Sequence, residues 1–109
     1  LIMSEKKSLP TLILDEIDTG VSGEVALRMG KLLKQMGKHL QVFAITHLPQ
    51  VAAKGDHHFE VSKSHDKHQT VSQIRELTKA ERIEALAKLI SGEHVTDLAR
   101  SSAIELIEN

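Results

Sequence analysis

Cysteine, tryptophan and tyrosine are all absent from this chain of 109 residues. Without cysteine there is no disulfide, no thiolate nucleophile and no Cys-type zinc site, and nothing points to an oxidising compartment. Phe43 and Phe59 are the only Phe, Trp or Tyr residues, which removes the stacking platform that single-strand nucleic-acid binders rely on. An excess of charge is missing too: 14 Lys+Arg against 15 Asp+Glu leave a formal net charge of -1. Strong nucleic-acid binding by a broad basic field is therefore not supported. Apolar runs such as Leu12-Ile13-Leu14 fall far short of a membrane span. Leu1-Ile2-Met3-Ser4 does not read as a secretory signal, and it opens in mid-pattern, as a piece of something longer would. What is present, 40% hydrophobic and 27% charged residues over one domain's length, fits a single soluble globular domain over residues 1–109.

The pattern along the chain predicts strand, helix, strand, and then a different layout. Thr11-Leu12-Ile13-Leu14 is a continuous apolar run stopped by Asp15-Glu16-Ile17-Asp18, which suits a strand buried on both faces. Pro10 stands where the strand begins, a position that tolerates a missing N–H. Thr19-Gly20-Val21-Ser22-Gly23 reads as a turn, with Ser22 as the helix N-cap and Glu24 at the positive end of the dipole. Val25, Met29, Leu32, Leu33 and Met36 then form a helical stripe, ended by Gly37. Gln41-Val42-Phe43-Ala44-Ile45 is a second apolar run. A strand–helix–strand unit of this length crosses over right-handed, so the two strands are expected to be parallel.

Beyond Pro49 the spacing predicts a short helical turn closed by Gly55. Residues 57–62 and 70–77 alternate in part around a polar loop, which reads as an antiparallel hairpin. Thr78-Lys79-Ala80-Glu81 fits a capping box for a helix with Ile83, Leu86, Ala87 and Ile90 on one face. A last helix is expected from Thr96 or Asp97 to Glu108. The fold class is α/β: a short parallel sheet, flanking helices, a β-hairpin and two C-terminal helices.

Parallel pairing brings the carboxyl ends of both strands to one edge of the sheet, where open α/β sheets place their ligands. Asp15 and Glu16 end the first strand; Thr46 and His47 end the second. Two acids and an imidazole at one rim can hold Mg²⁺ near a phosphate, orient a water and donate to a phosphate oxygen. The plain alternative is a solvated strand end. Two further readings stay open: a Mg²⁺-dependent phosphohydrolase using Asp15 as nucleophile, and a non-catalytic interaction module.

Thr11-Leu12-Ile13-Leu14-Asp15-Glu16 resembles the Walker B motif of the ATP-binding-cassette ATPases, Thr19 to Gly23 falls where their D-loop lies, and Ile45-Thr46-His47 looks like their H-loop. Within that superfamily, Asp15 to Gly23 followed by Thr46-His47-Leu48-Pro49-Gln50-Val51-Ala52-Ala53 is similar to the SMC-like bacterial DNA-repair ATPases, over nearly the whole chain. The resemblance implies the C-terminal lobe of an ATPase head, with ATP and Mg²⁺ as cofactors. It implies that Asp15 holds Mg²⁺ through water, Glu16 is the catalytic base and His47 meets the γ-phosphate. Gly20, Val21 and Ser22 would form the D-loop facing a second head in a homodimer. DNA would be a partner of the longer protein, in recombinational repair of double-strand breaks, with no membrane involved and a cytoplasmic, nucleoid-associated location.

Two residues depart from the transporter pattern: Ile17 where transporters carry Pro, and Ser22 where they carry Asp. Both favour the SMC-like branch. No stretch matches G-x-x-x-x-G-K-[ST], the signature motif is missing and no heptads are sustained, so the chain alone is expected to be inactive.

Two other groups invite a function. Asp56-His57-His58 and His65-x-x-His68 carry zinc-type donors, set against the simpler reading of a polar exposed hairpin. Lys63, Lys67 and Arg75 form a small basic group that can touch phosphate, set against an ordinary solvated face.

Overall fold

The computed structural model describes residues 10–15, 20–21 and 23–109. Two strands, β1 (Thr11–Asp15) and β2 (Gln41–Ile45), are joined by the helix α1 (Gly23–Met36). They pair in parallel from Thr11↔Gln41 to Asp15↔Ile45, as the crossover rule requires. A single turn, α2 (Pro49–Ala52), follows β2. The hairpin β3 (Phe59–His65) and β4 (Thr70–Glu76) is antiparallel, and two helices, α3 (Lys79–Ser91) and α4 (Asp97–Glu108), complete the chain.

Local chemistry sets the helix ends. The capping box at the start of α3 is formed: the Thr78 hydroxyl accepts from Glu81 N–H at 3.2 Å, and Glu81 Oε1 accepts from Thr78 N–H at 2.9 Å. Thr96 caps α4 by accepting from Ala99 N–H at 3.0 Å. Gly92 closes α3 with a φ of +84°, a conformation that a side chain disfavours.

The core differs from the one expected. Its centre is the α3–α4 pair and the residue after α2, with Ala53, Leu86, Ala87, Ala99 and Ala103 buried together. The β1–β2 sheet is covered on one face only. Leu12, Leu14 and Val42 are half-buried, while Ile13 (66%), Phe43 (46%) and Ile45 (56%) are exposed, because no described element lies over that side. In α1 the expected stripe is likewise displaced: Val25 and Leu32 are exposed, and the buried positions are Ala26 and Gly30. Both strands of the hairpin are exposed along their whole length. The Cα radius of gyration, 15.7 Å against about 13 Å for a closed domain of this length, agrees with so open an arrangement. Among the described residues no helix is long and apolar enough to cross a membrane.

Candidate functional site

β1 delivers Asp15 as its last residue, exposed, directly beside Ile45 of β2. His47 follows Ile45 by two positions and is also exposed. The parallel register therefore puts Asp15 and the Thr46-His47 pair on one edge, as the sequence suggested. Gly20 is exposed with a φ of +79°, a left-handed conformation with no described residue beyond its chain neighbours within 4 Å of where a Cβ would stand, and Val21 beside it is half-buried. Glu16 and Ser22, with Ile17, Asp18 and Thr19, lie outside the described residues.

Behind that edge, the segment leaving β2 is fastened to the helices. The Thr46 hydroxyl accepts from Leu48 N–H at 3.0 Å, a side-chain turn that lets α2 begin although its N-cap, Leu48, has no capping side chain. Pro49 fits the first helical position, where its missing N–H costs nothing. The middle of α2 lies against α1 at Gly30. A Cβ there would stand 2.6 Å from the Gln50 carbonyl oxygen, so only glycine allows this approach.

Two buried or half-buried cations then secure the far end of α2. From α3, one guanidinium nitrogen of Arg82 donates to the carbonyls of Ala52 (3.1 Å), Ala53 (2.9 Å) and Gly55. Ala52 and Ala53 stand at the end of α2, where a helix leaves carbonyls without an intrahelical donor, and Gly55 follows in the turn beyond. Lys54, 4% exposed, donates from Nζ to the carbonyls of Leu106 (2.9 Å) and Asn109 (2.8 Å) at the end of α4. Burial, then the charges of Lys31 and Lys34, hold the Lys54 ammonium below its ordinary range. Lys34 in turn donates to the Lys54 carbonyl (3.4 Å) and pairs with Asp56 (3.2 Å). Sequence reasoning missed Arg82, Lys54 and Gly30. In a linear reading each looks like an ordinary surface charge or a weak helix position, and only Gly30, a glycine inside a helical pattern, carried a signal of close approach.

The other groups resolve into structural pairs. His57 Nδ1 lies 2.7 Å from Glu76 Oε2, and His65 Nδ1 lies 3.1 Å from the Thr70 hydroxyl. Among the described residues no three His, Asp or Glu side chains are placed to hold a metal ion. Arg75 leaves the expected basic group, because it pairs with Glu81 at 2.7 Å and approaches Glu60 at 3.8 Å. A cavity of about 250 Å³ between the hairpin base and α3 is lined by His57, His58, Glu76 and Arg82 among others. In it, burial and the neighbouring Arg82 charge hold His58 below its ordinary pKa.

No protein-family model matches the chain. It is 43% identical over 108 residues to the DNA repair protein RecN of Haemophilus influenzae, a match covering 99% of this chain and 19% of that protein. RecN of Vibrio cholerae is 40% identical over 107 residues and RecN of Bacillus subtilis 37% over 107, each covering 98% of this chain and 19% of the relative. The chain thus spans about a fifth of the length of these relatives. Among solved structures, one from work on the structural biochemistry of ATP-driven dimerization and DNA-stimulated activation of SMC ATPases superposes with a TM-score of 0.61. It shares 22% identity, covering 81% of this chain and 52% of that one, a likeness of fold.

Proposed function

This chain is homologous to RecN along nearly all of its length, and from that premise we propose that it is the C-terminal part of a RecN-like ATPase in recombinational repair of DNA double-strand breaks. It contributes the Walker B, D-loop and H-loop side of a nucleotide site, and the longer protein contributes the P-loop and signature. The observation that carries this reading is the parallel register, with Asp15 beside Ile45 and His47 two residues beyond.

The donor set suits the cofactors. Asp15 offers a hard, exposed oxygen donor at a strand end, the kind of ligand Mg²⁺ accepts directly or through its retained waters. Bound there with ATP, Mg²⁺ would neutralise phosphate charge. Asp15 would hold the metal through water, Glu16 would take the proton of the attacking water, and His47 would donate to the γ-phosphate. Gly20, Val21 and Ser22 would form the D-loop that meets the second head of a homodimer, and DNA would be engaged by the longer protein. Such a protein works in the bacterial cytoplasm at the nucleoid.

The test uses the RecN-length protein. Glu16→Gln keeps the size and one acceptor oxygen but cannot take a proton. Nucleotide binding should persist, single-turnover hydrolysis should fall by about a hundred- to ten-thousandfold, and paired heads should accumulate. Asp15→Asn should instead weaken Mg²⁺-dependent binding itself. Near wild-type hydrolysis by Glu16→Gln would refute the assignment. A trapped aspartyl-phosphate on Asp15 would replace it with the nucleophile mechanism.

A further inference from the structure

α2 is a single turn of four residues. So short a helix has almost no stability of its own, because nucleation costs more than its few hydrogen bonds return. Its place is set by what grips it. At its start, the Thr46 hydroxyl accepts from Leu48 N–H, and Val51 and Ala52 N–H donate back to the Leu48 carbonyl at 3.1 and 3.0 Å. In the middle, the glycine contact at Gly30 brings α1 against the Gln50 carbonyl. At its end, the Arg82 guanidinium draws three main-chain acceptors, Ala52, Ala53 and Gly55, onto α3. His47 sits between the last residue of β2 and this clamped turn, one residue before Leu48.

We propose that Arg82 is the positioning residue of the site: by tying the end of α2 to α3, it fixes the turn that carries the His47 segment and so aims the imidazole at the phosphate. The inference rests on the reading of His47 given above and extends it to a residue 35 positions away in sequence. The Arg82 nitrogen that reaches α2 is engaged with carbonyls, so its action on the site runs through the turn and His47. Arginine suits the task. Its guanidinium stays charged at this half-buried position, and its planar end brings one nitrogen within reach of all three carbonyls. A shift of the order of an ångström in a group that meets the reacting phosphate can cost about a hundredfold in rate. A grip on the turn beneath that group is therefore worth more than its share of stability.

The experiment is a double-mutant cycle in the RecN-length protein, read by single-turnover ATP hydrolysis and by nucleotide affinity. Arg82→Ala alone should slow hydrolysis by roughly tenfold to a hundredfold, with the larger loss in rate and the smaller in affinity. Arg82→Lys, which keeps the cation and the aliphatic stem, should restore part of that rate. In a His47→Ala background, either change at Arg82 should slow hydrolysis by no more than about twofold, because the group it aims is gone. The same fold loss in both backgrounds overturns the proposal and leaves Arg82 with a purely structural role. If Arg82→Ala does not fold, the cycle is run with Arg82→Lys, and additivity there overturns the proposal equally. A wild-type rate for His47→Ala overturns the functional reading itself, an outcome that the additive result does not produce.

Discussion

Substitution of Gly30 by alanine sets two opposed effects against each other, and their sizes follow from the contact between α1 and α2. Within a helix, glycine to alanine is normally a gain of about 1 kcal/mol, since alanine loses less backbone freedom. Here the new Cβ would meet the Gln50 carbonyl oxygen at 2.6 Å, Lys54 Cγ at 3.1 Å and Val51 Cα at 3.3 Å. The first and third are main-chain atoms, which cannot swing aside. Bringing the shortest of these contacts into the range of real Cβ neighbours needs a retreat of roughly 0.4–0.8 Å by one helix or the other. Overpacking of this kind costs about 1–3 kcal/mol. The balance is a net loss near 1 kcal/mol, or about 4–8 °C in Tm for a chain of this size. Thermal unfolding of Gly30→Ala, with the exposed neighbour Lys31→Ala as the control for propensity, measures it. If Gly30→Ala instead raises Tm by the full propensity gain, α1 does not rest on α2 at this distance, and the account of how α2 is held is wrong.

Two further outcomes follow from the same structure. Burial, then the Arg82 charge, holds His58 below 6.5, with Glu60 opposing them more weakly. The unfolded chain then binds a proton at His58 that the folded chain refuses, so this group's contribution to stability is whole above pH 6.5 and is lost as pH falls through the lowered folded value. His58→Gln should therefore flatten the fall of Tm just below pH 6.5. Glu81, held down by the Thr78 N–H and Arg75, and Glu84, held down by Arg100, give up their share only below 4.5. Identical wild-type and His58→Gln slopes above that range would show that His58 is not held neutral. Thr78→Ala removes the hydroxyl that accepts from Glu81 N–H and should cost α3 about 1 kcal/mol, whereas Thr78→Ser should be close to neutral; equal melting of all three would show that the box carries no stability.

Much of this protein was legible in its residues because the physics involved is local. A threonine three residues before a glutamate satisfies a helix end wherever that helix lies, so the capping box of α3 could be read directly; for α4 the residues pointed to a start at Thr96 or Asp97, and the structure makes Thr96 the cap. Alternation around a polar loop was enough for the hairpin, and the handedness of a strand–helix–strand crossover was enough to make β1 and β2 parallel. From that pairing alone, Asp15 and His47 reach the same edge. The motif roles of Asp15, Glu16, Gly20, Val21, Ser22 and His47 are assignments by their order along the chain.

Burial was not legible, because it depends on what stands opposite. The run Leu12-Ile13-Leu14 reads as a strand covered on both sides, yet Ile13 faces outward, and the helical stripe of α1 lost Val25 and Leu32 to solvent while Ala26 and Gly30 went inside. Nor does any spacing rule single out Lys54 or Arg82 among the 14 Lys and Arg residues of the chain. Their roles arise because the ends of α2 and α4 come close together, each with carbonyls that its own helix leaves open to other donors. A chain declares its periods and caps residue by residue. Only the packing of α2 between α1, α3 and α4 decides which charge is turned inward, and with it what holds the His47 turn in place.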